Sequence, residues 1–102
     1  LFLDQNLNFV GESQISQGSP NSVDLDLHDI VIKSVRTSCT KIILTHSHPH
    51  GVLLPSSADI ASTRRAASAL NSIGIELIDH IIVNEEDSYS MRTAGMLPDI
   101  WF

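Results

Sequence analysis

The segment from residue 41 to residue 83 constrains the fold more strongly than any other part of the sequence. Its two ends, residues 41–45 and 75–83, are apolar runs of the kind that form buried strands. Between them, residues 57–73 carry apolar side chains at helical spacing and are followed by Gly74, a frequent helix stop. A strand, a helix and a second strand at this separation predict a right-handed crossover that joins two parallel strands.

The remaining segments predict smaller elements around this crossover. Residues 1–3 and 8–16 predict a β-hairpin with a polar turn. Residues 26–37 predict a helix that Asp26 caps at its N-terminus, and residues 89–92 predict a short edge strand, which could pair with another copy of the chain. The helical residues expected to face the core are Leu27, Ile30, Val31 and Val35 in the first helix and Ile60, Ala67, Leu70 and Ile73 in the second.

Composition limits the size and the class of the protein. The 102 residues, 42% of them hydrophobic, suffice for one compact core and are too few for two ordinary domains, so residues 1–102 are expected to form a single domain. The formal net charge of -6 argues against direct DNA binding, because such binding depends on clustered Lys and Arg. No apolar run reaches the length of a membrane span. Cys39 is the single cysteine, which precludes an internal disulfide and favours a reducing, cytoplasmic location.

Two histidines follow the first apolar strand. Side chains at positions i and i+2 of an extended chain point to the same face, so His46 and His48 can offer nitrogens to one ion. Asp59 lies eleven positions after His48, at the predicted start of the helix, and can supply a carboxylate as third ligand. Two imidazoles and one carboxylate leave the fourth position of a tetrahedral zinc site to water, as in catalytic sites. This donor set favours zinc, with iron, manganese and nickel as alternatives.

The same residues also have a purely structural interpretation. His46 and His48 can be an incidental surface pair, a frequent source of false motif matches. Ser56 followed three residues later by Asp59, just before a helical segment, is typical of a capping box at a helix N-terminus. Capping is compatible with a second role for Ser56. It is less compatible with one for Asp59, because a carboxylate bound to zinc has less capacity left for the helix backbone.

The complete spacing of these residues is a more specific signature. His46-Ser47-His48, seven residues, Ser56, two residues and Asp59 match the pattern H-[ST]-H-x7-S-x2-D, so the sequence resembles the JAMM (JAB, MPN) metalloprotease families. Within them it is similar to the bacterial RadC branch. The residues that carry this likeness, over almost the whole chain, are Leu1-Phe2-Leu3-Asp4, Ser16-Gln17-Gly18-Ser19, Asn21-Ser22, His48-Pro49, Gly51, Pro55-Ser56, Asp59-Ile60, Thr63-Arg64-Arg65, Gly74-Ile75-Glu76, Leu77 to His80, Ile81-Ile82 and Tyr89-Ser90-Met91-Arg92.

The resemblance implies both a fold and an activity. The fold would be α/β (α+β sandwich-like), with a mixed central sheet flanked by helices and an architecture resembling that of cytidine deaminases. The activity would be zinc-dependent hydrolysis of an amide or isopeptide bond in an unknown peptide or protein substrate. In that reaction His46, His48 and Asp59 would hold Zn2+, and Ser56 would be the catalytic residue that donates a hydrogen bond to the oxyanion.

The resemblance also implies a glutamate that acts as general base, a few positions before Leu1. The sequence begins without Met and inside an apolar strand, which predicts that an upstream segment is missing from it. Glu12 is the only early glutamate, and the alignment of Ser16-Gln17-Gly18 places it on the second strand, so we do not assign it this role. We expect peptidase activity to require the upstream residues.

Three further histidines need an interpretation. His50 stands where RadC-like sequences usually have a small residue, and it can be an extra ligand, a partner of a ligand or a solvated side chain. His28 is expected on the exposed flank of the first helix. Asp79 and His80 interrupt an apolar strand, so we expect them to satisfy their hydrogen bonds structurally. The alternative is that one of them faces the metal site and orients a ligand.

Two other functions remain open at the level of the sequence. RadC proteins carry a DNA-repair name, so the domain can be a non-catalytic interaction module in which zinc is structural or absent. In that case any link to DNA would come through an upstream domain or a protein partner, given the acidic charge. The other alternative is a degenerate homologue that binds no metal.

Overall fold

The computed structural model describes residues 1–14, 26–48 and 53–97. Its elements in chain order are β1 (Phe2–Leu3), β2 (Phe9–Gly11), α1 (Leu27–Thr37), β3 (Lys41–Ser47), α2 (Ser57–Ser72), β4 (Glu76–Val83) and β5 (Ser88–Ser90). The strands form one sheet in the order β2-β1-β3-β4-β5, in which β3 and β4 are parallel and the other neighbours are antiparallel. The predicted mixed sheet, with two parallel strands joined through a helix, is confirmed.

Local sequence signals fix the ends of both helices. The Asp26 carboxylate accepts a hydrogen bond from the backbone N–H of Asp29 at 3.1 Å and caps α1, as predicted. The chain leaves α1 through Ser38, which has a left-handed φ of 55°. It leaves α2 just before Gly74, whose φ of +80° is accessible to glycine at little cost. The predicted helix stop at Gly74 is confirmed.

Two of the residues predicted to face the core are in fact exposed. Val35 is 59% exposed, because Ser34 takes the inward position one helical turn after Ile30 and donates its hydroxyl to the Ile30 carbonyl at 2.5 Å. Ile73 is 46% exposed, because it is the C-cap of α2, where the helical period ends. The prediction of an inward side chain was wrong at both positions.

One hydrophobic core joins the sheet to both helices. Among its members Ile30 comes from α1, Ile42 from β3, Leu70 from α2 and Leu77 from β4. The other buried members are Phe2, Cys39, Leu44, Ala66, Ala67, Ile75, Met91 and Leu97. Cys39 is therefore a small core residue and not a surface thiol.

A bulge in β4 decides which of its side chains enter the core. The register pairs Ile42 with Leu77 but Ile43 with Asp79, so that Ile78 is the extra residue. After the bulge Leu44 pairs with His80, and both side chains are buried. Without the extra residue Asp79 would pair with Leu44, and because side chains alternate along a strand the inward position would change residue.

Some predicted elements differ in length or lie outside the described residues. The second strand covers Phe9–Gly11 within the described residues and is shorter there than predicted. The Asp4 carboxylate accepts hydrogen bonds from the N–H groups of Asn6 at 2.8 Å and Asn8 at 3.0 Å, which closes the turn before this strand. The last strand ends at Ser90, so Arg92 lies in a turn and not in the predicted strand. The predicted loop at 17–22, His50, and the tail with Trp101 and Phe102 lie outside the described residues. Within the described residues no helix has the length and apolar character needed to span a bilayer.

Candidate functional site

The parallel pair of strands places two histidines at its carboxyl end. His46 is the penultimate residue of β3, and His48 follows the strand directly. The backbone N–H of His48 donates to the Val83 carbonyl at 2.8 Å, which extends the hydrogen-bond ladder past the end of β3. The two imidazole rings lie edge to face, with centroids 4.6 Å apart. The structure therefore brings together the pair that the sequence predicted, at the sheet edge where α/β proteins usually bind ligands.

Asp59 lies in the first turn of α2 and is only 3% exposed. Its Oδ2 accepts a hydrogen bond from the backbone N–H of Ser56 at 2.7 Å, which is one half of a capping box. Its Oδ1 is buried and has no hydrogen-bond partner among the described residues. One carboxylate oxygen thus caps the helix while the other remains available as a donor atom. The conflict that the sequence suggested between capping and metal binding is resolved by the two oxygens.

Ser56 forms the other half of the capping box. Its Oγ accepts a hydrogen bond from the backbone N–H of Asp59 at 3.1 Å. Because the hydroxyl oxygen is the acceptor here, its hydrogen is still available to donate to another group. The residue is exposed at the N-terminus of α2, where the helix dipole favours negative charge. Ser56 can therefore donate a hydrogen bond to an anion that approaches from solvent.

His80 belongs to the same cluster, although sequence reasoning favoured a structural role for it. Its ring is 2% exposed and lies nearly parallel to the His46 ring, at an interplanar angle of 20° and a centroid distance of 6.1 Å. Its Nδ1 lies 2.8 Å from the hydroxyl oxygen of Thr63, a buried residue of α2 that sequence reasoning did not single out. The available signal for His80 in the sequence was a polar residue within an apolar strand. That signal does not show to which face of the sheet the side chain points, because the bulge in β4 decides this.

Asp79, the neighbour of His80, has the structural role that the sequence predicted. Its Oδ1 accepts hydrogen bonds from the backbone N–H groups of His80 at 2.7 Å and Arg92 at 3.0 Å. Its Oδ2 accepts a hydrogen bond from the Ser90 hydroxyl. These contacts tie β4 to the turn that follows β5 and leave the carboxylate fully used. The Asp79 carboxylate is therefore not available to bind an ion at the histidine cluster.

Burial, partial for His46 and nearly complete for His80, favours the neutral form of both imidazoles. Desolvation lowers the pKa of His46, the nearby His48 lowers it further, and Asp59 partly opposes the effect. Desolvation also lowers the pKa of His80, from 6.5 to about 4, with His46 as the next largest cause. Neutral imidazole is the form that binds metal ions. At neutral pH each of these rings therefore carries one nitrogen with an available lone pair.

The donor atoms fit a zinc ion in their chemistry. His46 Nδ1, Asp59 Oδ1 and His80 Nε2 are buried without a hydrogen-bond partner among the described residues, a costly condition that a bound ion or water would relieve. As these side chains stand, no three His, Cys, Asp or Glu residues within 1–14, 26–48 and 53–97 are arranged to hold an ion together. The donors are therefore present, and binding an ion requires their side chains to converge.

A cavity of about 660 Å³ opens beside this cluster, on the side of β3 that faces β1. His46 and Thr45 line one end of it. Glu12, the early glutamate that sequence reasoning set aside, lines it too and lies just after β2. A ligand of moderate size can therefore reach the histidine cluster from this side.

Comparisons with known proteins identify relatives of the chain. A family model described as RadC-like JAB domain matches residues 1–96. UPF0758 proteins from Finegoldia magna, Aquifex aeolicus and Bordetella avium are 37%, 35% and 34% identical to this chain over 92, 97 and 97 residues, respectively. The matches cover 90%, 95% and 95% of this chain and 41%, 42% and 43% of those relatives. The chain thus spans about two fifths of the length of the curated relatives it matches.

Proposed function

The chain belongs to the RadC-like JAB domain family, and from this premise we propose that it is a zinc-dependent metallohydrolase domain of the peptidase or isopeptidase type. The observation that carries the proposal is the buried, unpartnered Oδ1 of Asp59, together with the imidazole pair of His46 and His48 at the end of β3. Such atoms are costly in a folded protein unless a ligand satisfies them. A bound divalent ion would satisfy Asp59 Oδ1 and would be shared by the two imidazoles.

Three residues hold the ion in this proposal. His46 and His48 supply imidazole nitrogens from the end of β3, and Asp59 supplies Oδ1 from the first turn of α2. Zn2+ bound there supplies Lewis acidity, which lowers the pKa of water to about 7 and polarises an amide carbonyl. Asp59 stays in place because its other oxygen is bonded to the backbone of α2. The capping box therefore also positions the ligand.

Ser56 is the catalytic residue that the site itself supplies. As the amide carbon becomes tetrahedral, its oxygen gains negative charge and needs a donor placed in advance. The Ser56 hydroxyl is held at the helix N-terminus by the hydrogen bond from the Asp59 N–H at 3.1 Å, with its own hydrogen free to donate. The helix dipole at this end favours the same charge. Ser56 therefore stabilises the oxyanion without any rearrangement of α2.

The direct test is the metal content of the purified chain, measured by elemental mass spectrometry. We expect about one zinc per chain, as a single site predicts, and a large loss in Asp59→Ala. His28→Ala is the matched control, because His28 is exposed on α1. A zinc-loaded chain is then assayed with peptide and isopeptide substrates. Absence of zinc in the wild type, even after incubation with zinc, would contradict the proposal.

A non-catalytic interaction module, with structural zinc or none, is the second candidate. The observation in its favour is that the donor side chains in the described residues are not arranged to hold an ion. The capping box of α2 is complete without a metal ion, so the helix does not need zinc to form. Circular dichroism of the chain with and without a chelator discriminates the two. Unfolding on zinc removal indicates a structural ion, whereas a folded apo form that rebinds zinc supports catalysis.

The setting of this activity follows from general features of the chain. We propose a peptide or protein substrate and a cytoplasmic location, which the single, buried Cys39 favours. The net charge of -6 argues against direct contact with DNA. Association of two chains is a further proposal, because β2 and β5 lie at the two edges of the sheet among the described strands. Size-exclusion chromatography with light scattering tests the last point.

A further inference from the structure

Three buried polar atoms belong to residues gathered near the carboxyl end of β3. They are His46 Nδ1, Asp59 Oδ1 and His80 Nε2, and none has a hydrogen-bond partner among the described residues. The His46 and His80 rings are stacked with centroids 6.1 Å apart, within the range of paired rings. Only His46 and Asp59 belong to the ligand set proposed above. The role of His80 therefore needs its own explanation.

The hydrogen bonds of Thr63 determine which nitrogen of His80 carries the proton. The Thr63 hydroxyl has one hydrogen, and it donates that hydrogen to the backbone carbonyl of Asp59 at 2.7 Å. When the hydroxyl donates to that carbonyl, its oxygen, 2.8 Å from His80 Nδ1, is the acceptor in the contact with the ring. Nδ1 of His80 therefore carries the hydrogen. At pH 7.5, above the ordinary pKa of histidine, the ring is neutral, so Nε2 has a bare lone pair and can only accept a hydrogen bond.

A histidine that binds metal through one nitrogen needs an acceptor for the hydrogen on the other. In metal sites that hydrogen is almost always donated to a carboxylate, a carbonyl or a water, which fixes the ring and its tautomer. Among the described residues His46 Nδ1 has no direct acceptor. His80 Nε2 and Asp59 Oδ1 are the other two buried side-chain atoms that have no partner among the described residues.

We propose that His80 is a positioning residue for His46, and that one ordered water links the three atoms. The water accepts the hydrogen of His46 Nδ1 and donates its own two hydrogens to His80 Nε2 and Asp59 Oδ1. All three hydrogen bonds are balanced, and three is the usual number for a buried water. His46 is thereby held as the Nδ1–H tautomer, with the lone pair of Nε2 turned to the zinc ion. This last step rests on the proposed function, whereas the tautomers do not.

The result is a continuous chain of hydrogen bonds between α2 and β3. It runs from His46 through the water to His80, then to Thr63 and to the backbone carbonyl of Asp59. Asp59 joins this chain twice, through its carbonyl at one end and through its Oδ1 at the water. The chain therefore couples the orientation of a histidine ligand to the first turn of the helix that carries the carboxylate ligand.

The tautomers can be read directly by long-range ¹H–¹⁵N NMR of the full chain at pH 7.5, without metal. The chain has five histidines, so their ring signals can be assigned by single substitutions. We expect pure Nδ1–H tautomers for both His46 and His80. Thr63→Val keeps the shape of the side chain and removes the acceptor, so His80 should become a mixture of tautomers. A wild-type His46 in the Nε2–H form would overturn the proposal.

Zinc affinity, measured by competition with a chromophoric chelator, tests the consequence for the metal. His80→Phe keeps a buried ring without the acceptor, and we expect zinc affinity to fall 10–100-fold, as for other partners of metal ligands. His80→Gln restores an acceptor and should recover most of that loss. His28→Phe is the matched control at an exposed histidine and should bind zinc like the wild type.

The outcomes separate this proposal from the proposed function. If the wild type binds zinc and both His80→Phe and Thr63→Val bind it within twofold of the wild type, His80 has no positioning role and the inference fails alone. If the wild type binds no zinc, the proposed function fails, while the NMR measurement still decides the hydrogen-bond chain. If His80→Phe does not fold, the zinc affinity of Thr63→Val and the histidine tautomers of the wild type decide the proposal instead.

Discussion

Ser56 and Asp59 hold each other through two reciprocal hydrogen bonds at the start of α2. The Ser56 N–H donates to Asp59 Oδ2 at 2.7 Å, and the Asp59 N–H donates to Ser56 Oγ at 3.1 Å. The same two residues are the proposed oxyanion donor and the proposed carboxylate ligand. Stability and chemistry are therefore coupled at this turn, and substitutions must be chosen to separate them.

Ser56→Ala removes both the helix cap and the proposed oxyanion donor. We expect the free energy of unfolding to fall by about 1 kcal/mol, the usual cost of losing an N-cap side chain. In a form of the protein that hydrolyses peptides, kcat should fall by roughly 10²–10³. Urea denaturation and steady-state kinetics measure the two effects. Ser57→Ala, at the neighbouring exposed serine, is the control, and an equal loss of kcat there would contradict the role of Ser56.

Asp59→Asn and Asp59→Ala separate capping from metal binding. Asn keeps one carbonyl oxygen for the Ser56 N–H, so we expect Asp59→Asn to fold with nearly wild-type stability, whereas Asp59→Ala should lose about 1 kcal/mol. Both variants lose the charged oxygen, so zinc binding should weaken strongly in both. Chelator competition and urea denaturation measure these effects. Wild-type zinc affinity in Asp59→Asn would exclude Asp59 as a ligand.

The stability of the metal-free protein should decrease in mild acid because of His80. Burial lowers its pKa from 6.5 to about 4, so as the pH falls the unfolded chain takes up the proton first. Above the unfolded pKa both states are neutral and His80 has no effect, and the loss is complete only below the folded pKa. The full loss is about 3 kcal/mol, at about 1.4 kcal/mol for each pKa unit.

The measurement is urea denaturation at several pH values between 7.5 and 4 in wild type and His80→Gln, because the difference between the two isolates this histidine. His46, His48, Asp59 and Asp79 also contribute to the charge around the ring, and they are the same in both proteins. The variant should lose less stability in acid than the wild type. Parallel curves for the two proteins would show that His80 is not the source.

Asp79 should contribute to stability and not to metal binding. Its carboxylate accepts hydrogen bonds from the N–H groups of His80 and Arg92 and from the Ser90 hydroxyl. We expect Asp79→Ala to lower the free energy of unfolding by about 2 kcal/mol, because several partners lose a charged acceptor at once. Zinc affinity should stay within a few-fold of the wild type. Glu85→Ala, at an exposed acidic residue of the same end of the chain, is the control for a change of charge.

The local elements and the family were accessible from sequence because they depend on short-range patterns. The cap residues Asp26 and Ser56 and the helix stop at Gly74 act on their own neighbours along the chain, so spacing suffices to place them. The same holds for His46 and His48, which two residues of extended backbone bring to one face. The exceptions are Ile73, the C-cap of α2, where the helical period ends, and Val35, because Ser34 takes the inward position beside it.

The place of His80 was decided by the tertiary structure alone. Its inward direction depends on the bulge at Ile78, and a strand pattern in sequence does not show which residue a bulge will skip. Its tautomer depends on Thr63, seventeen residues earlier on a different element. The different roles of the two Asp59 oxygens, one capping α2 and the other available to an ion, likewise follow only from the tertiary structure. Sequence alone therefore determined the elements and the signature residues, whereas pairing register and packing, which are long-range interactions, decided how those residues are oriented.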